Sequence, residues 1–131
     1  METKQVIVVR KDLNMRRGKE IAQGAHASLA VFFNMMDMEK NGKKYECTLI
    51  HTSEAMHEWM TGGFTKITVV VNSEQELLDV YNKACAAGLP CSLIRDAGKT
   101  EFAGVSTLTT VAVGPAFSGD VDKITGGLKL Y

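Results

Sequence analysis

Four short runs rich in β-branched residues restrict this chain most: 5–10 (QVIVVR), 66–72 (KITVVVN), 91–95 (CSLIR) and 108–113 (LTTVAV). Each is too short for a stable helix, and turn or polar residues bound most of them, so each reads as a strand. Helical patterns separate the first three. The fourth follows the third after a loop alone, which makes that pair an antiparallel hairpin. Strands alternating with helices predict an α/β fold in a single domain over 1–131, built on a mixed, mostly parallel β-sheet of about four strands with helices on both faces.

Between the strands, 11–17 is polar and reads as a loop. A helix is predicted over about 17–38, where Ile21, Ala22, Ala25, Leu29, Phe32, Phe33 and Met36 recur at helical spacing as one apolar, core-facing stripe. Residues 39–46 (EKNGKKYE) read as a polar connection and 47–52 (CTLIHT) as a short strand. Thr52 or Ser53 is placed to N-cap a short helix ending at Gly62-Gly63. Ser73 with Glu76 three residues on is a capping-box signature, so a helix over 74–87 follows, with Gly88 as its stop and Pro90 beyond. The run 108–113 is expected to end at Gly114-Pro115, and 118–126 reads as a short helix or turn before the tail LKLY.

The 131 residues are 45% hydrophobic and 23% charged, the balance of a soluble globular domain. No apolar run approaches the ~18 to 20 residues of a membrane span. The opening METKQVIVVR carries no export or organelle leader pattern. Three cysteines, Cys47, Cys85 and Cys91, form no Cys-x-x-Cys and suit a reducing compartment, so a cytoplasmic location is expected. Cys47, His51 and His57 lie close together but match no zinc spacing, and no metal site is assigned to them. Fifteen basic and fifteen acidic residues give a net charge of zero, which argues against a general polyanion binder, so neither DNA nor a membrane is an expected partner. The distribution is uneven, however. Residues 1–19 hold six basic side chains against Glu2 and Asp12, a patch suited to local phosphate contacts or, more plainly, a solvated charged loop.

Ligand crevices of open α/β sheets lie beyond the carboxyl ends of parallel strands. The first strand ends at Arg10 and delivers the 11–19 segment; the third ends at Arg95 and delivers Asp96. If the two run parallel, both arrive at one sheet edge, where the fourth strand starts near Thr109. Lys19, Gln23 and His26 fall on one line of the first helix, beside its apolar stripe. Lys19, Asp96, Thr100 and Thr109 can therefore converge. Each also has an ordinary structural reading: a solvated lysine, a hydrogen-bonded histidine at the core edge, an Asx turn at Asp96-Ala97-Gly98, a strand threonine.

At these residues the sequence resembles a known family. KQVIVVRKDLNM, Gly18-Lys19, Ala22-Gln23 and His26-Ala27, then LIRDAGKT at 93–100, VGP at 113–115 and DKITGGLKLY at 122–131, are similar to the archaeal/eukaryotic-type (class 2) peptidyl-tRNA hydrolases. The resemblance covers about 4–36 and 60–131, and a bacterial-type member is expected. It implies an α/β fold, usually as a homodimer, that cleaves the ester joining a peptide to the 3′ end of tRNA in translation. It implies no metal or organic cofactor, and peptidyl-tRNA as the partner. The family's lysine falls on Lys19, its aspartate on Asp96, its threonines on Thr100 and Thr109, and its helix glutamine and histidine on Gln23 and His26. The chain departs from the family at Arg16-Arg17-Gly18-Lys19, where Gly-Lys-Gly-Lys is common, and in the loop 103–110, which lacks the usual proline and is about one residue longer. The longer loop leaves Thr109 and Thr110 as alternatives; counting back from Gly114-Pro115 favours Thr109.

Ester hydrolysis needs a group to orient or deprotonate water, donors for the oxyanion and contacts to place the RNA. Asp96 is the candidate for the water, provided burial raises its weak basicity, and His26 is the rival base. Lys19, Thr100 and Thr109 are candidate donors. Arg10, Lys11, Arg16, Arg17 and Lys66 are candidate phosphate contacts. The competing readings are a non-catalytic RNA- or protein-binding module and a deacylase for another charged tRNA.

Overall fold

The structure, a computed structural model, describes residues 2–99 and 101–131. In chain order these form β1 (Thr3–Arg10), a 3-10 turn (Lys11–Leu13), α1 (Arg17–Phe33), β2 (Met36–Asn41), β3 (Lys44–Leu49), α2 (Glu54–Thr61), β4 (Lys66–Val71), α3 (Glu74–Ala86), β5 (Cys91–Asp96), β6 (Thr107–Phe117), α4 (Ser118–Thr125) and β7 (Lys129–Leu130).

The α/β reading with a mixed sheet holds, but the sheet has five strands, in the order β5-β6-β1-β4-β7, and is mostly antiparallel. Only β1 and β4 pair parallel; β1–β6, β5–β6 and β4–β7 are antiparallel. The expectation of a mostly parallel sheet fails because β6 inserts between β1 and β5 and the tail adds β7. Neither event leaves a mark on periodicity. β1 and β5, each antiparallel to β6, still point the same way, so their carboxyl ends reach one edge.

Strand alternation assigns the two faces. Val6 and Val8 of β1 join Val69 and Val71, Val111 and Val113, and the inner sides of α3 (Leu77, Val80, Ala84) and α4 (Val121) in the larger core. On the other face Ala112 packs with Ala27 and Val31 of α1 and Met56 of α2, and Ile7 and Val9 pack with Met15. Helices thus cover both faces. Half of the capping box forms as read: Ser73 Oγ accepts from Glu76 N–H at 3.1 Å, while the Glu76 carboxylate reaches back past Ser73 and accepts from Asn72 N–H. Ser53 is the α2 cap, accepting from Met56 N–H.

Three local expectations are corrected. The predicted apolar stripe of α1 is not its buried face: Ile21 is 66% exposed, Leu29 51% and Phe33 50%, whereas Gln23, Gly24, Ala27 and Val31 are buried. Small residues of α1 face the sheet: a Cβ on Gly24 would stand in ordinary contact with Ile7 Cγ2 at 3.6 Å, and Ser92 Oγ donates to Ala27 O. Second, α1 ends at Phe33, and 39–46 is no simple connection but most of an antiparallel hairpin, β2–β3, turned at Gly42-Lys43. Third, β6 runs through Gly114-Pro115 to Phe117. The register against β1 shifts between Lys4 and Val6, so Pro115 sits at an irregularity where its missing N–H leaves the ladder intact. Gly114 has φ 96, and a Cβ there would stand 2.6 Å from Lys4 O.

Candidate functional site

Beyond the carboxyl ends of β1 and β5 the chain brings together Lys19, Gln23, Asp96 and Thr109. Asp96 closes β5 and Lys19 lies in the first turns of α1. Lys19 Nζ donates to Asp96 Oδ1 at 2.8 Å, and the two side chains are 15% and 13% exposed. Gln23, one turn along α1 and 2% exposed, donates through Nε2 to the same oxygen at 3.4 Å. Its Oε1 accepts from Thr109 Oγ1. The chain Lys19–Asp96–Gln23–Thr109 is therefore continuous, and among the described residues no buried side-chain polar atom lacks a partner. Such satisfied networks hold their members in one geometry.

The turn after Asp96 is both ordinary and directed. Asp96 Oδ2 accepts from Gly98 N–H at 2.9 Å, an Asx turn, while Oδ1 faces Lys19 and Gln23. Gly98 is required here: its φ is 80, and a Cβ would lie 2.3 Å from Val105 O. The ammonium of Lys19 holds the Asp96 carboxyl below its ordinary value; burial opposes this, while the Gly98 N–H and, more weakly, His26 add to the lowering. The expectation that burial raises this group is thus reversed, because the ion pair outweighs desolvation.

A bulge explains why two threonines compete for one role. β5 pairs Arg95 with Leu108 and Ile94 with Thr110, leaving Thr109 as the extra residue. Bulges turn neighbouring side chains to new directions. Here both hydroxyls reach Gln23, Thr109 its side chain and Thr110 its backbone oxygen at 3.1 Å, and only Thr109 joins the chain to Asp96. Thr100 lies outside the described residues. His26 is exposed on α1, one further turn past Gln23.

The basic candidates separate. Arg16 and Arg17 stand at the start of α1 and Lys11 in the 3-10 turn, all exposed. Arg10 is committed internally: it pairs with Asp12 at 2.7 Å and donates to Leu108 O at 3.0 Å. Lys66 opens β4 beside Gln5, at the far end of the sheet, over the Trp59 and Phe64 rings. Cys47 lies in β3, His51 in the following loop and His57 in α2; among the described residues no group of three or more His, Cys, Asp or Glu is arranged to hold a metal ion.

Sequence reading does not single out Glu101 or Phe102. Glu101 pairs with Arg16 at 2.8 Å, and Lys19 Nζ stands 5.9 Å from the Phe102 ring. Both sit in a loop without periodicity, and no spacing marks them.

Comparison with known proteins identifies the family. The pattern of the family described as "Peptidyl-tRNA hydrolase PTH2" matches residues 3–131. A peptidyl-tRNA hydrolase of Methanocaldococcus jannaschii is 46% identical over 127 residues, covering 97% of this chain and 98% of the relative. One of Aeropyrum pernix is 46% identical over 98% of this chain and 95% of its own, and one of Halobacterium salinarum 43% over 98% and 99%. These relatives are archaeal, and the expected bacterial-type membership is not borne out. With the matched pattern spanning nearly every residue, the chain belongs to the PTH2 family of peptidyl-tRNA hydrolases.

Proposed function

We propose that the protein hydrolyses the ester between a peptide, or an N-blocked amino acid, and the 3′ ribose of tRNA, releasing tRNA for reuse in translation, with Lys19 and Asp96 at the centre of the site. The observation that carries the assignment of residues is the buried-edge pair Lys19–Asp96, tied through Gln23 to Thr109. Water attacks the ester carbonyl and gives up a proton, the carbonyl electrons move to oxygen, and collapse expels the ribose 3′ oxygen, which takes that proton up. A cation beside the carbonyl stabilises the oxyanion, and that is the part given to Lys19. A carboxylate held below its ordinary range is a poor base, so Asp96 is assigned to orient water and to fix Lys19. Thr109 and Thr100 are hydroxyl donors to the reacting group or its water. His26 is the base of the alternative scheme. Only side chains and water enter these steps.

Arg16, Arg17 and Lys11 are assigned to phosphates of the tRNA end, a role that fixes register without reading sequence. The internal partners of Arg10 and the distance of Lys66 along β4 favour structural roles for those two. A homodimer fits the exposed apolar side of α1, where Ile21, Leu29 and Phe32 border a groove of about 860 Å³ against Ile7 and Val9. Light scattering on the purified chain tests it: a mass of one protomer contradicts it. Among the described residues no helix is long and apolar enough to cross a membrane, and a cytoplasmic site of action is part of the proposal.

The test of substrate class compares N-acetyl-aminoacyl-tRNA with free aminoacyl-tRNA. Faster turnover of the blocked ester supports the reading; preference for the free amine turns the assignment towards a deacylase.

A further inference from the structure

Glu101 occupies a position suited to an anion. Its Oε1 accepts from Arg16 Nε at 2.8 Å and its Oε2 from the Arg16 backbone N–H at 3.4 Å. The pair is lopsided: the carboxylate side chain is 13% exposed and the guanidinium side chain 81%. With Gly18 and Lys19 the two residues line a cleft of about 410 Å³, and Lys19 in that cleft also holds Asp96. The carboxylate is thus seated while the arginine stands open to solvent at the mouth of the site. Guanidinium binds carboxylate and phosphate through the same fork of donors.

We propose that Glu101 is a built-in competitor for phosphate, occupying Arg16 in the free protein and giving it up when a phosphate near the tRNA 3′ end arrives. The inference rests on the assignment of Arg16 to phosphate contact. Exposed ion pairs contribute little net stability, so the exchange is inexpensive for a ligand already anchored elsewhere. A single free phosphate gains less, because it must displace Glu101 without help. Glu101 therefore favours ligands that engage several cations at once. It also couples capture of the RNA to the loop that carries Phe102 beside Lys19. The competing view makes Glu101 a plain latch that holds this loop against α1, and the two views predict opposite signs.

The test is a double-mutant cycle on binding of uncharged tRNA, with wild type, Glu101→Gln, Arg16→Gln and the double variant, each checked for folding by thermal melting. Glutamine keeps the shape and an acceptor and removes the charge. The proposal predicts that Glu101→Gln tightens binding about five-fold, the size an exposed pair carries. It also predicts a steeper salt dependence, because removing the carboxylate leaves one less negative charge beside the bound phosphates. Arg16→Gln weakens binding in both backgrounds, by about five-fold more in the Glu101→Gln background than in the wild type. Weaker binding on Glu101→Gln overturns the proposal in favour of a latch. Equal tightening with and without Arg16 overturns it in favour of a general charge effect. Equal tightening also means that Arg16→Gln costs the same in both backgrounds; where that shared cost is above zero, Arg16 contacts phosphate but Glu101 does not compete for it. If it costs nothing in either, the assignment of Arg16 itself fails.

Discussion

The edge of the sheet around Asp96 and the β2–β3 hairpin differ in how they use polar residues. Around Asp96 polar side chains are half-buried or buried and each is answered: Lys19 and Gln23 by Asp96, Thr109 by Gln23. In the hairpin only Met36 and Leu49 are even partly covered, and Glu39 stands directly opposite Glu46. Like charges across a strand pair destabilise it, and a two-stranded hairpin is marginal by itself in water. One region uses burial to fix distances at which chemistry can occur. The other adds surface without adding to either core. Position relative to the core, and not polarity as such, separates residues whose geometry matters from residues whose replacement is tolerated.

Four outcomes would break or sharpen that contrast. The largest effect belongs to Lys19→Ala and Asp96→Asn, each expected to lower turnover of N-acetyl-aminoacyl-tRNA by about 100-fold or more while the fold survives. Next is Gln23→Leu. It leaves Thr109 Oγ1 buried without its acceptor and should cost about 1 to 3 kcal/mol of stability by denaturant melting, with a smaller loss of rate than at Asp96. The acid limb comes third. The folded-state pKa of Asp96 is depressed, so its contribution to stability is present above the unfolded value near 3.8 and is lost as pH falls through the lower folded value. Turnover that depends on Asp96 alone is therefore level across pH 5 to 6. A fall in that range that disappears in His26→Gln would assign the proton transfer to His26 instead. The smallest effect is expected on replacing 36–49 by a short Gly-Ser linker. Ile50 N–H already donates to Met35 O at 2.8 Å, so the ends are adjacent. Turnover should stay within about two-fold, as for surface changes that touch no buried feature; a large loss would show that the hairpin serves the substrate.

Much of the site was legible because it depends on few facts. That Lys19 and Asp96 meet follows once β1 and β5 run the same way; the sequence reading takes that direction as a condition, and the structure meets it through β6, antiparallel to both. Sheet order was not legible, since pairing partners are set by the whole core and not by local pattern. The face of α1 was misjudged because periodicity weighs side-chain bulk, whereas close packing on the sheet selected Gly24 and Ala27 and left Ile21 and Leu29 outside. The hairpin did leave a signal. Gly42-Lys43, with φ 63 at the glycine in the first loop position, is a Gly-X hairpin turn, flanked by Met36 and Met38 alternating with charge on one side and Tyr45 and Cys47 on the other. Its charge made it read as a link. Glu101 left no signal, because its importance lies in a distance to Arg16, 85 residues away in sequence.

The most direct test of the account is release of free tRNA from N-acetyl-aminoacyl-tRNA by wild type, Lys19→Ala and Asp96→Asn, with EDTA present throughout. The account predicts turnover by the wild type and a loss of about 100-fold or more in both folded variants. A wild type that binds tRNA and does not release it, or folded variants that keep wild-type turnover, would contradict the account.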